Sequence, residues 1–328
     1  MVQQTITDGQ FVDAWQRFGS PQAVSDYTGL TIRRVYARRD ALAKRGIRLE
    51  TRGAHASAEW ADNGWTFPRE KQISIDTGSV IISSDHHYWP GEPSLAHRAL
   101  LTVIDIVKPR VKILNGDVFD GGSVGRHPPF GWSKRPTAAD ELHAAQERVH
   151  EIEKVLPNGC ERLWNIGNHD IRFERNLAMQ VPDYAGIEGF RLGDHFHGWD
   201  MNWSTAVNWD SDHPVMVKHR NAGGVHAGYN NAMKGGVTIV TGHTHRLECK
   251  PWGNYRCNRY YGIQSGTLAD LHAPQFEYHE NGPTDACPGF VVLTFKDGEL
   301  LPPELCEVRG DRAYFRSEVV AEDRKEAA

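Results

Sequence analysis

Cysteine is scarce and unpatterned in this chain of 328 residues. Cys160, Cys249, Cys257, Cys287 and Cys306 are odd in number and show no CxxC spacing, which argues against a disulfide framework or a zinc ribbon and for buried free thiols. Long apolar runs are missing too. No stretch approaches the roughly eighteen residues that a membrane-spanning helix requires. The first ten residues, MVQQTITDGQ, lack the basic-then-apolar layout of a secretion signal. These absences predict a cytoplasmic protein that does not engage membrane. With 39% hydrophobic and 24% charged residues, the chain has the composition of a globular protein with one large domain and room for a small one.

Net charge is only -5, but it is unevenly spread. Between Thr31 and Arg52 eight basic residues face Asp40 and Glu50, a local +6 that leaves -11 for the rest. Such asymmetry predicts a basic appendage on an acidic body. The appendage, residues 1–50, reads as all-helical. GQFVDAWQRF is the first apolar-periodic stretch, Ser20 and Pro21 form an N-cap and first helical position, Gly29 ends that short helix, and Thr31 caps the next. Two short helices joined by a glycine turn, the second one basic, resemble a helix-turn-helix module, with Arg33, Arg34 and Arg38 as candidate DNA contacts. The alternative is a three-helix bundle with a solvated arginine face that serves assembly. Residues 51–78 show no sustained periodicity and read as a linker.

From Ser79 the pattern changes to short β-branched runs, each followed by glycine or polar residues. SVIIS leads into SDHH, RVKIL into NGDVFD, RLWNI into GNHD, PVMVK into HR, and VTIVT into GHTH. Helices are expected over SLAHRALLTVIDIV and over TAADELHAAQERVHEIEKVL, the latter with a capping-box variant at Thr137 and Asp140. Strands alternating with helices imply a layered α/β domain, whose sites form beyond the carboxyl ends of the strands. This domain is expected over residues 79–300, with 301–328 as a C-terminal tail.

The residues at those strand ends are Asp85, His87, Asp117, Asn168, His219, His243 and His245. Mixed carboxylate, amide and imidazole donors suit borderline divalent ions, Mn²⁺ first, with Fe, Ni or Zn as alternatives. Seven ligands exceed the needs of one ion. Two ions would use them, and an adjacent pair is the known arrangement for in-line displacement at phosphorus.

In order along the chain, DHH, GDVFD, GNHD, a strand-end histidine and GHTH resemble the motifs of the calcineurin-like metallophosphoesterases. The resemblance spans roughly Ser79 to Phe295, and GDVFDGGSVGR, AGYNNA and the basic N-terminal segment are similar to versions carried by phages and prophages. It implies a β-sandwich flanked by helices. It also implies that Asp85, His87 and His245 hold one ion, that Asn168, His219 and His243 hold the second, and that Asp117 bridges them. Such a pair acidifies water into a nucleophile and neutralises charge on the phosphoryl oxygens. His169 is implied to face the substrate as general acid, with Asp120 orienting its ring.

Other readings come from the residues themselves. Asp170 reads as the cap of the helix IRFERNLAM. The fourth motif is either His219 or His226; the apolar run Val215 to Val217 favours His219, leaving His226 as a substrate contact. His86 reads as a packing residue beside the ligands. Arg126 and Arg172 are candidate phosphate clamps, or surface ion pairs. Gly121 occupies a position where the phosphoprotein phosphatases of the superfamily carry arginine, which disfavours that role. Trp199, Trp203 and Trp209 are candidates for stacking bases, or for packing a loop. The expected activity is a phosphoesterase acting on a phosphodiester in nucleic acid, a nuclease. The alternatives are a small-molecule phosphatase or cyclic-nucleotide phosphodiesterase, and a DNA-binding regulator whose hydrolase domain is inactive.

Overall fold

A computed structural model describes residues 6–18, 21–47, 49, 67–125, 134–253, 259–279 and 284–323. The chain divides into two compact units, Met1–Thr66 and Phe67–Ala328.

The first unit contains α1 (Asp8–Phe18), α2 (Pro21–Thr28) and α3 (Ile32–Lys44). Phe11, Trp15, Val24, Val35 and Leu42 are buried together as its core. Gly29, at φ +69°, closes α2 by donating its N–H to the Ser25 carbonyl at 2.9 Å. Thr31 holds the N-cap position of α3, but its side chain makes no capping bond. Ser20 lies outside the described residues. Arg38, expected on the solvated face, turns back instead: it donates to Asp8 Oδ1 at 2.8 and 3.0 Å and to the Ile6 carbonyl at 2.7 Å, and its guanidinium covers the Phe11 ring. The reason is that Asp8, at the start of α1, and the Ile6 carbonyl offer Arg38 acceptors across the bundle.

The second unit is a two-sheet sandwich. One sheet runs, in spatial order, β1 (Lys71–Ile73), β6 (Ser204–Val207), β7 (Val215–Lys218), β8 (Thr238–Thr241), β10 (Arg259–Ser265) and β9 (Leu247–Gly253). The other runs β15 (Glu318–Glu322), β14 (Arg312–Phe315), β13 (Glu304–Arg309), β11 (Gly289–Lys296), β2 (Gly78–Ser83), β3 (Val111–Asn115), β4 (Glu161–Asn165) and β5 (Asp200–Asn202), with β12 (Glu299–Leu300) paired to β11. β2, β3 and β4 are parallel, and Val80 to Ser83, Val111 to Asn115 and Leu163 to Asn165 are buried whichever face they point to. Val80, Ile82 and Ile113 face the opposite sheet, against Val217, Val240 and Ile263. Ile81, Leu114 and Trp164 face the helices α4 (Leu95–Val107) and α5 (Ala138–Val155), against Leu100, Ile104 and Ile152. The expected Thr137–Asp140 capping box opens α5. A further helix, α6 (Ile171–Gln180), follows β4, and α7 (Ala227–Gly235) packs on β8 and β10. The architecture is thus helices, sheet, sheet, helix.

Two spans read as irregular are ordered. β1 lies in the stretch taken as a linker and pairs in parallel with β6. β13, β14 and β15 lie in the stretch taken as a tail, extend the larger sheet, and bury Cys306, Ala313 and Phe315 in the helix-side core. Short, half-exposed strands separated by tight turns carry too little periodicity to stand out in sequence. Among the described residues no helix is long and apolar enough to cross a membrane, and Cys160, Cys249, Cys287 and Cys306 are free thiols.

Candidate metal centre

β2, β3 and β4 of one sheet and β7 and β8 of the other end at the same edge of the sandwich. The loops beyond them are tied together by their backbones. Asp85 donates its N–H to the Gly116 carbonyl, and His87 to that of Asp117, both at 2.9 Å, so the β2–β3 pairing continues past the strands. Gly242 donates to the His219 carbonyl at 2.9 Å, and the His243 N–H reaches both Asp85 oxygens at 2.8 and 3.0 Å. Only a hydrogen fits where the motif glycines sit: a Cβ at Gly167 would collide with the Asp117 carboxylate, and one at Gly242 with Ser84.

The backbone beyond the strands is strained. Asp85, His87, Asp117, His243 and His245 all have left-handed φ, from +42° to +69°. Such a conformation costs a non-glycine residue on the order of 1 kcal/mol or more, and residues held in it gather at functional sites. Here the strain turns donor atoms inward. Asp85, His87 and His245 bring one ligand atom each within 4.8 Å of one another, and so do Asp117, His219 and His243. His87, Asp117 and His169 form a third such group that joins the other two.

Hydrogen-bond partners fix the tautomers of two imidazoles. His219 Nδ1 lies 2.8 Å from the Asn115 carbonyl, which only accepts, so Nδ1 carries the proton and Nε2 presents its lone pair. His87 Nδ1 lies 2.8 Å from Asp120 Oδ1, whose carboxyl the neighbouring histidines hold well below its usual range against burial. Nε2 of His87 therefore also points its lone pair into the site, 3.2 Å from His245 Nε2. A histidine anchored through Nδ1 to a carboxylate or carbonyl is the arrangement of metal-ligating imidazoles.

The site calls for a cation. Asn168 Oδ1 and His219 Nε2 are buried without hydrogen-bond partners, although His219 Nε2 lies 3.1 Å from Asp117 Oδ2. Two lone pairs at that separation repel unless a positive charge lies between them. The pull for positive charge shows in the imidazole itself: burial opposes its charged form, but Asp117 and then Asp85 push the His219 pKa up to about 10. Asp85 is held down at about 2 despite burial, chiefly by His219 and His245. The donor set of carboxylates, imidazoles and one amide oxygen fits a pair of borderline divalent ions.

His169 stands at the rim, its N–H donating to Asp117 Oδ1 at 2.7 Å. Its Nδ1 lies 2.8 Å from the Asp120 carbonyl and 3.2 Å from Asp120 Oδ1. Burial works against its charged form, while Asp117 and Asp120 raise its pKa. Arg172 donates from Nη2 to His169 Nε2 at 2.8 Å and from Nη1 to the Asp120 carbonyl at 3.0 Å. Asp120 thus serves two rings, the nearer being His87, whereas sequence alone paired it with His169.

Asp170 differs from its expected role. It precedes α6 with helical φ and ψ and makes no cap bond there. Its fully buried carboxylate instead accepts from the backbone N–H groups of Gly167, Asp117, Val118 and Phe119 and from Trp164 Nε1, at 2.8 to 3.1 Å. Burial and the Asp117 charge push its pKa up to about 6, opposed by those donors.

A cavity of about 590 Å³ opens in front of the histidines, lined in part by Trp89, Lys134, Arg135, Arg172 and Phe276. Phe276 packs edge-on against His87 and His245, at 5.6 and 5.7 Å between ring centres. Of these residues sequence reasoning found only Arg172; the others come from distant loops with no motif. Arg126 lies outside the described residues. His226 is exposed at the start of α7, in none of the three donor groups. His86 is buried against Ser83 Oγ at 2.8 Å, a packing role. Trp199 is a core residue bonded to Glu153, Trp203 and Trp209 are about 40% exposed, and none of the three lines the cavity. Trp89 and Phe276 occupy the place where the tryptophans were expected.

No protein-family model matches the chain. It is 28% identical over 259 residues to the Gene 54 protein of Mycobacterium phage L5, covering 71% of this chain and 94% of the phage protein. Among solved structures it is similar to vacuolar protein sorting 29 from Cryptosporidium parvum, with TM-score 0.42, 14% identity, and coverage of 76% of this chain and 100% of that one. A dimetal phosphatase from Danio rerio aligns with TM-score 0.33 and 8% identity, again covering 76% of this chain and 100% of the other.

Proposed function

We propose that the chain is a phage-type member of the calcineurin-like metallophosphoesterases, using two divalent ions to hydrolyse a phosphodiester in nucleic acid. The observation that carries this reading is the pair of acid-imidazole groups, Asp85–His87–His245 and Asp117–His219–His243, joined by the His87–Asp117–His169 group and opening on a cavity lined in part by Lys134, Arg135 and Arg172. Asp85, His87 and His245 would hold one ion and Asn168, His219 and His243 the other, with Asp117 available to either. When bound, the ions supply Lewis acidity and acidify a water for attack on phosphorus.

The remaining chemistry belongs to the chain's own side chains. Arg172, Lys134 and Arg135 bind the phosphoryl oxygens. Once a phosphate draws Arg172 away, His169 Nε2 is free to carry a proton to the leaving oxygen. Trp89 and Phe276 offer apolar walls to the organic groups on either side of the phosphorus, which favours a diester with bulky substituents. An intact donor set argues against the inactive-hydrolase alternative.

Elemental analysis and calorimetric titration with Mn²⁺ would measure metal content. Parallel assays on a chromogenic diester, a chromogenic monoester, a cyclic nucleotide and DNA would rank substrates. Two bound ions per chain with DNA and the diester cleaved fastest is the expected outcome. Absence of metal binding would overturn the centre, and preference for the monoester or cyclic nucleotide would overturn the substrate class.

A further inference from the structure

We infer that the first unit binds double-stranded DNA by laying the N-terminal half of α3 in the major groove, independently of the hydrolytic centre. Three observations converge. α2 and α3 are joined by three residues, Gly29, Leu30 and Thr31, with Gly29 in the left-handed conformation. That is the turn of a helix-turn-helix pair, in which the second helix reads the groove with its first residues.

The second observation is the outward face of α3. Val35 and Leu42 point into the core, while Arg33, Arg34, Ala37, Ala41 and Lys44 are exposed. Alanines at 37 and 41 allow close backbone approach, and the cations flank them. The structure also separates two kinds of arginine. Arg38 and Arg45 are taken by Asp8, and Arg39 lies over Trp15 and Tyr36 and pairs with Asp40 at 3.3 Å. That pairing offsets Asp40, the carboxylate of α3 itself. Arg33, Arg34 and Lys44 have no ion pair among the described residues.

The third observation is electrostatic. The first turn of α3 has no acidic residue and two arginines, and Thr31 makes no capping bond, so among the described residues its first N–H groups have no side-chain acceptor. Cations there oppose the helix dipole. The arrangement becomes favourable when a phosphate lies against those N–H groups and both guanidinium groups together.

The full-length protein would be titrated with fluorescent duplex DNA by anisotropy over a salt series, in EDTA to suppress hydrolysis. Arg33→Ala with Arg34→Ala should reduce the slope of log K against log salt by about 1 to 2. Ala37→Glu should weaken binding at least tenfold while leaving metal content and chromogenic diester turnover at wild-type levels. Arg38→Ala should instead lower the melting temperature, since it removes the Asp8 tie. Unchanged DNA binding in both surface variants would overturn the inference. So would equal affinity for duplex RNA, whose narrow major groove excludes a helix, or a change from oligomer to monomer in Ala37→Glu with no DNA binding by the wild type. The DNA-binding readouts do not depend on turnover, so the phosphoesterase reading can fail without deciding this one.

Discussion

The carboxylate of Asp170 accepts the backbone N–H of Asp117 at 2.9 Å, locking the loop after β4 onto the loop after β3. Its other four donors complete the lock. Asp170→Asn replaces an oxygen acceptor by an NH₂ group that faces N–H donors. Leaving buried donors unsatisfied costs about 1 to 3 kcal/mol each, with partial relaxation. The variant should melt roughly 5 to 15 °C lower, and calorimetry should show loss of metal binding, although Asp170 belongs to none of the three donor groups. A variant with wild-type melting and metal affinity would show that the lock is dispensable.

Asp120 lies nearer to His87 than to His169, at 2.8 against 3.2 Å, so its first duty is to the tautomer of a ligand. Asp120→Asn should weaken binding at the Asp85–His87–His245 position by about 10- to 100-fold, the usual cost of losing a carboxylate behind a ligating histidine. Titration calorimetry with Mn²⁺ resolves this from the second position. If affinity is unchanged and only turnover falls, Asp120 acts on His169 alone.

His169 and Arg172 make a linked pair, since Arg172 donates to the Nε2 that would carry the proton. His169→Ala should keep both ions and lose roughly 10² to 10⁴ in turnover on an unactivated diester. The loss should shrink on a nitrophenyl ester, whose leaving group needs no proton. Arg172→Ala should mainly raise KM. Equal losses on activated and unactivated esters would remove the proton-donor role.

These contrasts mark how far the sequence could be read. Asp85, His87, Asp117, Asn168, His219, His243 and His245 stood out because each follows a short β-branched or apolar run by a few residues, where glycine and polar residues interrupt it. Asp170 did not stand out. Its position before α6 imitates a cap, and three of its five partners, Asp117, Val118 and Phe119, lie some fifty positions back in the chain, reachable only once β3 and β4 are in register. Trp89, the adjacent Lys134 and Arg135, and Phe276 come from three separate segments with no shared spacing. The strands β13 to β15 were missed for a different reason: their exposed faces alternate with charges and tight turns, so they resemble a solvated tail. Arg38 had the spacing of a surface residue, and only the approach of Asp8 on α1 recruits it to the bundle.

Lys112 supplies a test of stability against pH. It lies fully buried in β3, donating to Ser83 Oγ at 2.5 Å and to the Ile113 carbonyl at 3.0 Å, with no ion pair among the described residues. Burial lowers its pKa from 10.5 to about 7. Between those values the unfolded chain holds a proton that the folded chain has lost, so stability rises as pH climbs from about 7 toward 10.5. Below that window both states are protonated and the full cost of the buried charge is felt, on the order of 3 to 5 kcal/mol at 1.36 kcal/mol per unit. Lys112→Met, close in volume, removes the charge without leaving a buried one unpaired. The variant should be the more stable protein at pH 6.5, and its advantage should shrink steadily toward pH 10. Denaturant unfolding of both proteins across that range measures the difference, from which the titrations they share cancel. An advantage that stays constant with pH would mean that Lys112 keeps an ordinary pKa in the folded protein.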